Sequence, residues 1–315
     1  ASVARLEFHK ENYTAALDAI PEAAGLKNEI IGELRIVTLL RLDRAKQARK
    51  ETKNFKKKFP KQVEALARFQ VEEARVQLRH GNPKGAKKTL EGVMKNYAQS
   101  QSAGDAEFYL IGAIEKVGKP EEHLDALVSF IKNRSGNVYW AKANLGLAEI
   151  YDANQDYVSA SRSYANALKG ELGENERPEV LELLYKSHRN LRSYDSAIAY
   201  ARELIEQYPH DPRAKDARVT IGQMYNEKGA YMDAINELLP LLTKLQGDPW
   251  SSAQEIIAVS YERQGDYESA LREYLKLVYN HQGSVNWIAN AFMGRARCFD
   301  ELGRTTEAIG ELEKI

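Results

Sequence analysis

The chain has 315 residues, 43% of them apolar and 29% charged, with 45 basic against 45 acidic side chains and a mean hydropathy of −0.54. That balance supports a continuous core, but no stretch approaches the roughly 20 apolar residues needed to cross a bilayer, and Ala1 is not followed by a basic and then apolar signal segment. A single cysteine, Cys298, excludes an internal disulfide framework and a cysteine-based zinc site.

The zero net charge conceals an asymmetry. Residues 41–97 hold 17 Lys and Arg against 6 Asp and Glu, leaving 28 against 39 for the remainder. The acidic excess is assigned to a segment from 141 to 315.

In chain order, the first predicted element is a half repeat carrying Asn12, Tyr13 and Ala16. Full repeats follow from near residues 29, 67, 104, 141, 178, 215, 251 and 289, a period of about 37. Each reads as two antiparallel helices. A small residue in the first (Ala74, Ala148, Gly222, Ala258, Ala296) and an alanine in the second (Ala48, Ala86, Ala160, Ala197, Ala234, Ala270, Ala308) let them approach closely. Apolar residues three or four apart, as at Ile221, Gly222, Met224 and Tyr225, mark one helical face. Gly81, Gly118, Gly229, Gly265 and Gly303 end the first helix by taking a left-handed backbone, and Tyr157, Tyr194, Tyr231 and Tyr267 follow soon after. Pro60 and Pro209 stop second helices.

Two segments depart from this rhythm. From Arg44 to Lys61, Ala45, Ala48, Thr52, Phe55 and Phe59 keep core spacing, which places Arg49, Lys50, Lys53, Lys56, Lys57 and Lys58 on an outer basic face. In the repeat from Gly104, His123 replaces the close-contact alanine and Pro120 the tyrosine, so a packing irregularity is expected there, with a bend near 100–104. Both ends fall inside a repeat without a capping helix, so the chain is expected to be part of a longer protein.

The small residue, the aromatic three positions later (Tyr151, Tyr225, Tyr261, Phe299), the alanine and the aromatic or leucine after it (Leu90, Tyr164, Leu238, Tyr274, Leu312) together resemble the tetratricopeptide repeat family. The longer period resembles its bacterial cell-envelope members. The resemblance implies an all-α fold: one continuous right-handed superhelical solenoid, residues 1–315, of eight to nine hairpins. It also implies a concave groove lined by the first helices. Carried over by position, Arg41, Arg68, Arg75 and Arg79, with Glu33, enter that groove early. Glu149, Asp152, Glu179, Glu182, Lys186, Asp216, Asn226, Glu227, Glu255 and Glu262 enter it later. The lysine and asparagine that clamp a terminal carboxylate in chaperone-binding members are missing from the corresponding positions.

No catalytic constellation appears: no His-Glu-x-x-His, no Gly-x-Ser-x-Gly, and a Gly81 to Thr89 stretch that has the wrong spacing for a phosphate loop. His9, His80, His123, His188, His210 and His281 lack ligand spacing, and Cys298 and most tyrosines read as packing residues. The expectation is a non-enzymatic scaffold without cofactor or metal, binding a protein or peptide in its groove, in the periplasm or envelope or alternatively in the cytoplasm. The alternative function is an adaptor for a polyanion or glycan, such as anionic membrane, nucleic acid or envelope polysaccharide, through the basic 41–97 segment.

Overall fold

A computed structural model describes residues 2–21, 28–280 and 284–315, so His281 lies outside the described residues. Among the described residues there are 18 α-helices and no strand. They cluster into two compact units, residues 1–147 and 148–315.

In the first unit α1 (Ser2–His9) precedes α2 (Tyr13–Asp18), and α3 (Glu29–Arg41) pairs with α4 (Ala45–Lys58). Next come α5 (Val63–Arg79) with α6 (Pro83–Asn96), then α7 (Ser102–Val117) with α8 (Pro120–Asn133). The unit boundary falls inside α9 (Trp140–Ala153). The second unit continues through α10 (Tyr157–Ala167), α11 (Glu176–Asn190) with α12 (Tyr194–Gln207), and α13 (Pro212–Lys228) with α14 (Tyr231–Leu238), which runs on as a 3₁₀ turn to Leu241. It ends with α15 (Asp248–Arg263) and α16 (Tyr267–Asn280), then α17 (Asn286–Glu301) and α18 (Thr305–Leu312).

The repeated alanines explain the pairing. Ala16, Ala48, Ala86, Ala160, Ala197, Ala234 and Ala270 are fully buried, because only a methyl fits where the two helices touch. Large side chains close the gaps around them: Phe55 and Phe69 in one cluster, Leu181 and Leu204 in another, Tyr274 and Leu277 in a third. Each such side chain contributes roughly 1.5–3 kcal/mol on burial. Short helices of this kind are marginal alone, so this shared core holds them.

The turn inside every hairpin but that of α7 and α8 has one backbone solution. Gly81, Gly229, Gly265 and Gly303 take positive φ as expected, but so do the non-glycine residues at the same repeat position, Glu11, Asp43, Gln155 and Arg192. A side chain in that region costs about 1 kcal/mol or more, which the flanking helices override. Gln155→Gly and Arg192→Gly are therefore expected to stabilise the chain by about 0.5–1 kcal/mol each. A rise in urea midpoint at unchanged slope is the check.

Gly118 corrects the expectation for its repeat. Its backbone is extended, with φ −89 and ψ −175, and a Cβ there would lie 2.8 Å from the Ile114 carbonyl oxygen. This glycine serves close passage over the end of α7. In the same hairpin His123 is only half-buried, α8 buries just Leu127 and Phe130, and Pro120 occupies its first helical position. The imidazole is too large for the contact an alanine makes elsewhere.

The connection at 97–104 is hydrogen-bonded from Ser100 onward. Glu64 accepts from the Gln101 amide at 2.8 Å and from the Ser102 amide and hydroxyl at 3.1 and 2.5 Å, and Ser102, Ala103 and Gly104 are buried. Limited proteolysis between residues 97 and 106 tests the bend expected there.

Ion pairs with one buried partner each lock two hairpins at one repeat position. Arg35 on α3 donates through Nε to Glu51 on α4 at 2.9 Å, and through a second nitrogen to the Ile20 carbonyl. Arg295 on α17 repeats this arrangement, meeting Glu311 on α18 at 2.9 and 3.0 Å and the Leu271 carbonyl at 3.1 Å. Burial raises the Glu311 pKa, but hydrogen bonds from Arg295 and Lys314 outweigh it and leave the pKa below its ordinary value. A depressed carboxylate pKa gives stability that is present above the unfolded-state value and is lost as pH falls through the folded-state one. Glu311→Gln should therefore flatten the acid limb of the stability curve below about pH 4.5. Denaturant midpoints across that range measure it.

Candidate functional site

In the first unit, α1, α3 and α5 enclose a cleft of about 400 Å³. Phe8, Ile30, Leu34 and Val37 form an apolar floor, and Arg5, His9, Arg41 and Arg68 line the rest with Glu33 and the buried Glu72. Helical spacing builds the floor: Ile30, Leu34 and Val37 recur every three to four residues along α3.

The four arginines expected in this groove carry their own counter-charges. Arg68 pairs with Glu33, and Arg79 meets Asp43 at 2.7 Å. That hydrogen bond holds the Asp43 carboxyl below its usual range. Arg41 and Arg75 share the buried Glu72, at 2.8 and 2.7 Å. Arg41 Nε is buried with no hydrogen-bond partner. Arg75 also lies over the Tyr109 ring at 4.9 Å, and the Tyr109 and Tyr139 hydroxyls are 3.1 Å apart. Phe108 stacks on Tyr139 with centroids 4.4 Å apart, so the ion pairs give way to an aromatic ledge.

In the second unit the first helices also bear acids with partners. Glu182 pairs with Lys186 on α11 at 2.7 Å, and Glu227 on α13 accepts from Arg189 on α11 at 3.0 Å. Glu179 is 3.9 Å from Arg213. Glu262 on α15 receives Arg297 from α17 at 2.6 and 3.0 Å and the Tyr274 hydroxyl from α16 at 2.5 Å, while burial and that bond raise the Tyr274 pKa. Asn226 is buried, its amide donating to Ser260 Oγ at 2.7 Å. Asp152 is half-buried and accepts a long 3.4 Å bond from Ser187, whereas Glu149 and Asp216 are exposed. Burial raises the Glu255 pKa. Glu255, Asn226 and Glu227 line a cleft of about 190 Å³ with Gln223, Ile256, Val259 and Arg263. Lys186 and Glu227 also line a more open hollow with Arg189 and Tyr194.

Sequence reasoning placed the charged groove residues on first helices but missed the cross-helix pairing and the apolar floor of the first-unit cleft. The pairing had a readable signal, since opposite charges recur 31–38 positions apart, as in Glu33 and Arg68, Arg189 and Glu227, and Glu262 and Arg297. In the first unit, Arg49, Lys50, Lys53, Lys56, Lys57 and Lys58 on α4 are all exposed, with Arg49 held by Glu73 at 2.6 Å. Cys298 is fully buried, and burial pushes its thiol pKa up to about 12. It is therefore an unreactive packing residue.

A profile of the tetratricopeptide repeat matches residues 183–249 and 257–315. Those two stretches are tetratricopeptide repeats. The same hairpin and buried alanine run back through α3 and α4, so the architecture extends upstream of the matched repeats. No curated protein matches the sequence. Among solved structures, a tetratricopeptide repeat protein from Parabacteroides merdae is 17% identical with a TM-score of 0.44, covering 79% of this chain and 91% of that one. The apo form of RapI is 15% identical with a TM-score of 0.47, over 90% and 95%. Yeast Tom70 is 15% identical with a TM-score of 0.42, over 91% and 60%. No described helix is long and apolar enough to cross a membrane.

Proposed function

We propose that the chain is a non-enzymatic scaffold that holds a protein or peptide partner on the first-helix faces of its tetratricopeptide repeats. The first-unit cleft carries this reading: an apolar floor of side-chain size with arginines beside it. Such a site takes an apolar side chain beside a carboxylate, because the floor repays desolvation, Arg5 brings a charge with no ion pair among the described residues, and a ligand carboxylate can exchange for Glu33 at Arg68. In the second unit the complementary ligand is a basic segment met by Glu149, Asp152, Glu182 and Asp216. Placement in the bacterial envelope is proposed from the repeat period alone, and cell fractionation that finds the protein only in the cytoplasm overturns it.

A displayed library of random peptides panned on the whole chain tests the cleft. Peptides with a large apolar residue beside Asp or Glu should be enriched, and Ile30→Glu and Arg68→Glu should each weaken them at least tenfold. Ile30 is 49% exposed, so its replacement is expected to leave the fold intact, which a circular dichroism spectrum and urea midpoint like the parent's check. Enrichment of no such class, or equal binding by both variants, sinks the reading. Glu149, Asp152, Glu182 and Asp216 changed together to lysine should abolish capture of a basic peptide and leave acidic-peptide capture unaltered.

A further inference from the structure

The groove does not use the outer basic helix, and its charge is arranged more strictly than solubility requires. On α4, Lys46, Arg49, Lys50, Lys53, Lys56 and Lys57 are all exposed. At 3.6 residues per turn they fill one continuous arc of about 120°, roughly opposite the buried Ala48 and Phe55 and about 16 Å long. Among the described residues, carboxylates within 4 Å are recorded for Arg49 but for none of these five lysines. The next second helix repeats the arrangement: Lys84, Lys88 and Lys95 on α6 are exposed and stand at the same angle from buried Ala86, with Glu91 the acid among them.

Like charges three and four apart on a helix repel, so this array is a standing destabilisation that an anionic partner removes. The two arcs stand at one repeat angle on the second helices of neighbouring hairpins, and clusters of basic side chains on an amphipathic helix suit anionic headgroups. The arcs contain no aromatic ring for base stacking and no apolar wedge. We propose that the outer face of α4 and α6 docks the chain on a planar anionic lipid surface, held by charge without insertion.

Co-sedimentation of the whole chain with vesicles tests this. With about 30 mol % phosphatidylglycerol in phosphatidylcholine at about 0.05 M salt, the chain should pellet, and it should stay in solution with phosphatidylcholine alone. Raising salt to about 0.3 M should weaken binding at least tenfold, because the Debye length shrinks. The combined variant Lys46→Glu, Lys50→Glu, Lys53→Glu and Lys57→Glu should lose on the order of a hundredfold or more, at about fivefold for each cation near the surface. The same four positions changed to arginine should restore binding. If the charge reversal fails to fold, glutamine at those positions gives the same comparison. Ile30→Glu, which disables the cleft, should pellet like the parent, so the two readings fail separately. A parent that ignores anionic vesicles overturns the proposal, as does a folded glutamate or glutamine variant that binds equally. Capture of duplex DNA through these lysines without vesicle binding also overturns it.

Discussion

Gly294→Ala is expected to destabilise the chain by about 2–4 kcal/mol, although it adds a single methyl to a helix that would otherwise gain from it. Gly294 sits on α17 against the Tyr274 ring of α16, and a Cβ there would fall inside that ring. The ring cannot retreat. Tyr274 is 1% exposed, and its hydroxyl is held by Glu262, which in turn is gripped by Arg297. The methyl must therefore push two helices apart, and every contact between the two hairpins loosens. Two controls isolate the cause. Gly112→Ala, on α7 with nothing within 4 Å of the added Cβ, should gain about 0.5–1 kcal/mol from helix propensity. Combining Gly294→Ala with Tyr274→Leu should cost less than the sum of the two, because the second change vacates the space the first needs. Additivity in urea denaturation would rule the ring contact out as the source.

Removing the shared carboxylate in the first unit should cost almost as much. Glu72→Leu is expected to lose about 3 kcal/mol, because a buried pair broken on one side leaves its charge uncompensated. Here two guanidiniums, those of Arg41 and Arg75, lose one acceptor, and each retains roughly a quarter of its side-chain exposure, which keeps the loss from being larger. Water cannot readily serve Arg41 Nε, which already lies buried without a partner. Replacing the three together, Glu72→Leu with Arg41→Met and Arg75→Met, should return most of the stability, since apolar side chains of similar volume suit this site. The triple variant should also lose selection for acidic peptides while keeping the apolar preference. A Glu72→Leu protein as stable as the parent would show that solvent already screens both arginines.

Much of the fold was legible because the repeat is a chemical code with a local reading. The buried Ala48, Ala86 and Ala234, the prolines after α4 and α12, and the basic face of α4 each follow from spacing along a single helix. The turn conformation was only half legible. Glycine announced it at Gly81 and Gly229, but Asp43, Gln155 and Arg192 adopt it with side chains that advertise nothing, because packing of the flanking helices forces the backbone there. At Gly118 the residue type pointed to one conformation and the site needed another.

The candidate site divides the same way. First-helix position could be counted, so the arginines and glutamates were placed on the right elements. Whether a charge was available could not be counted, since that depends on which acid from the next hairpin lies 3 Å away.

The sequence by itself determined that this chain stacks paired helices at a period of about 37 residues, because that property rests on periodicity and local backbone preference. Only the tertiary structure decided that Arg41 and Arg75 share Glu72, that Arg35 and Arg295 occupy matching sites, and that Phe8, Ile30, Leu34 and Val37 floor one cleft. Charge pairing and cavity shape arise from distances of a few ångströms between residues tens of positions apart, and those distances exist only once the helices have packed.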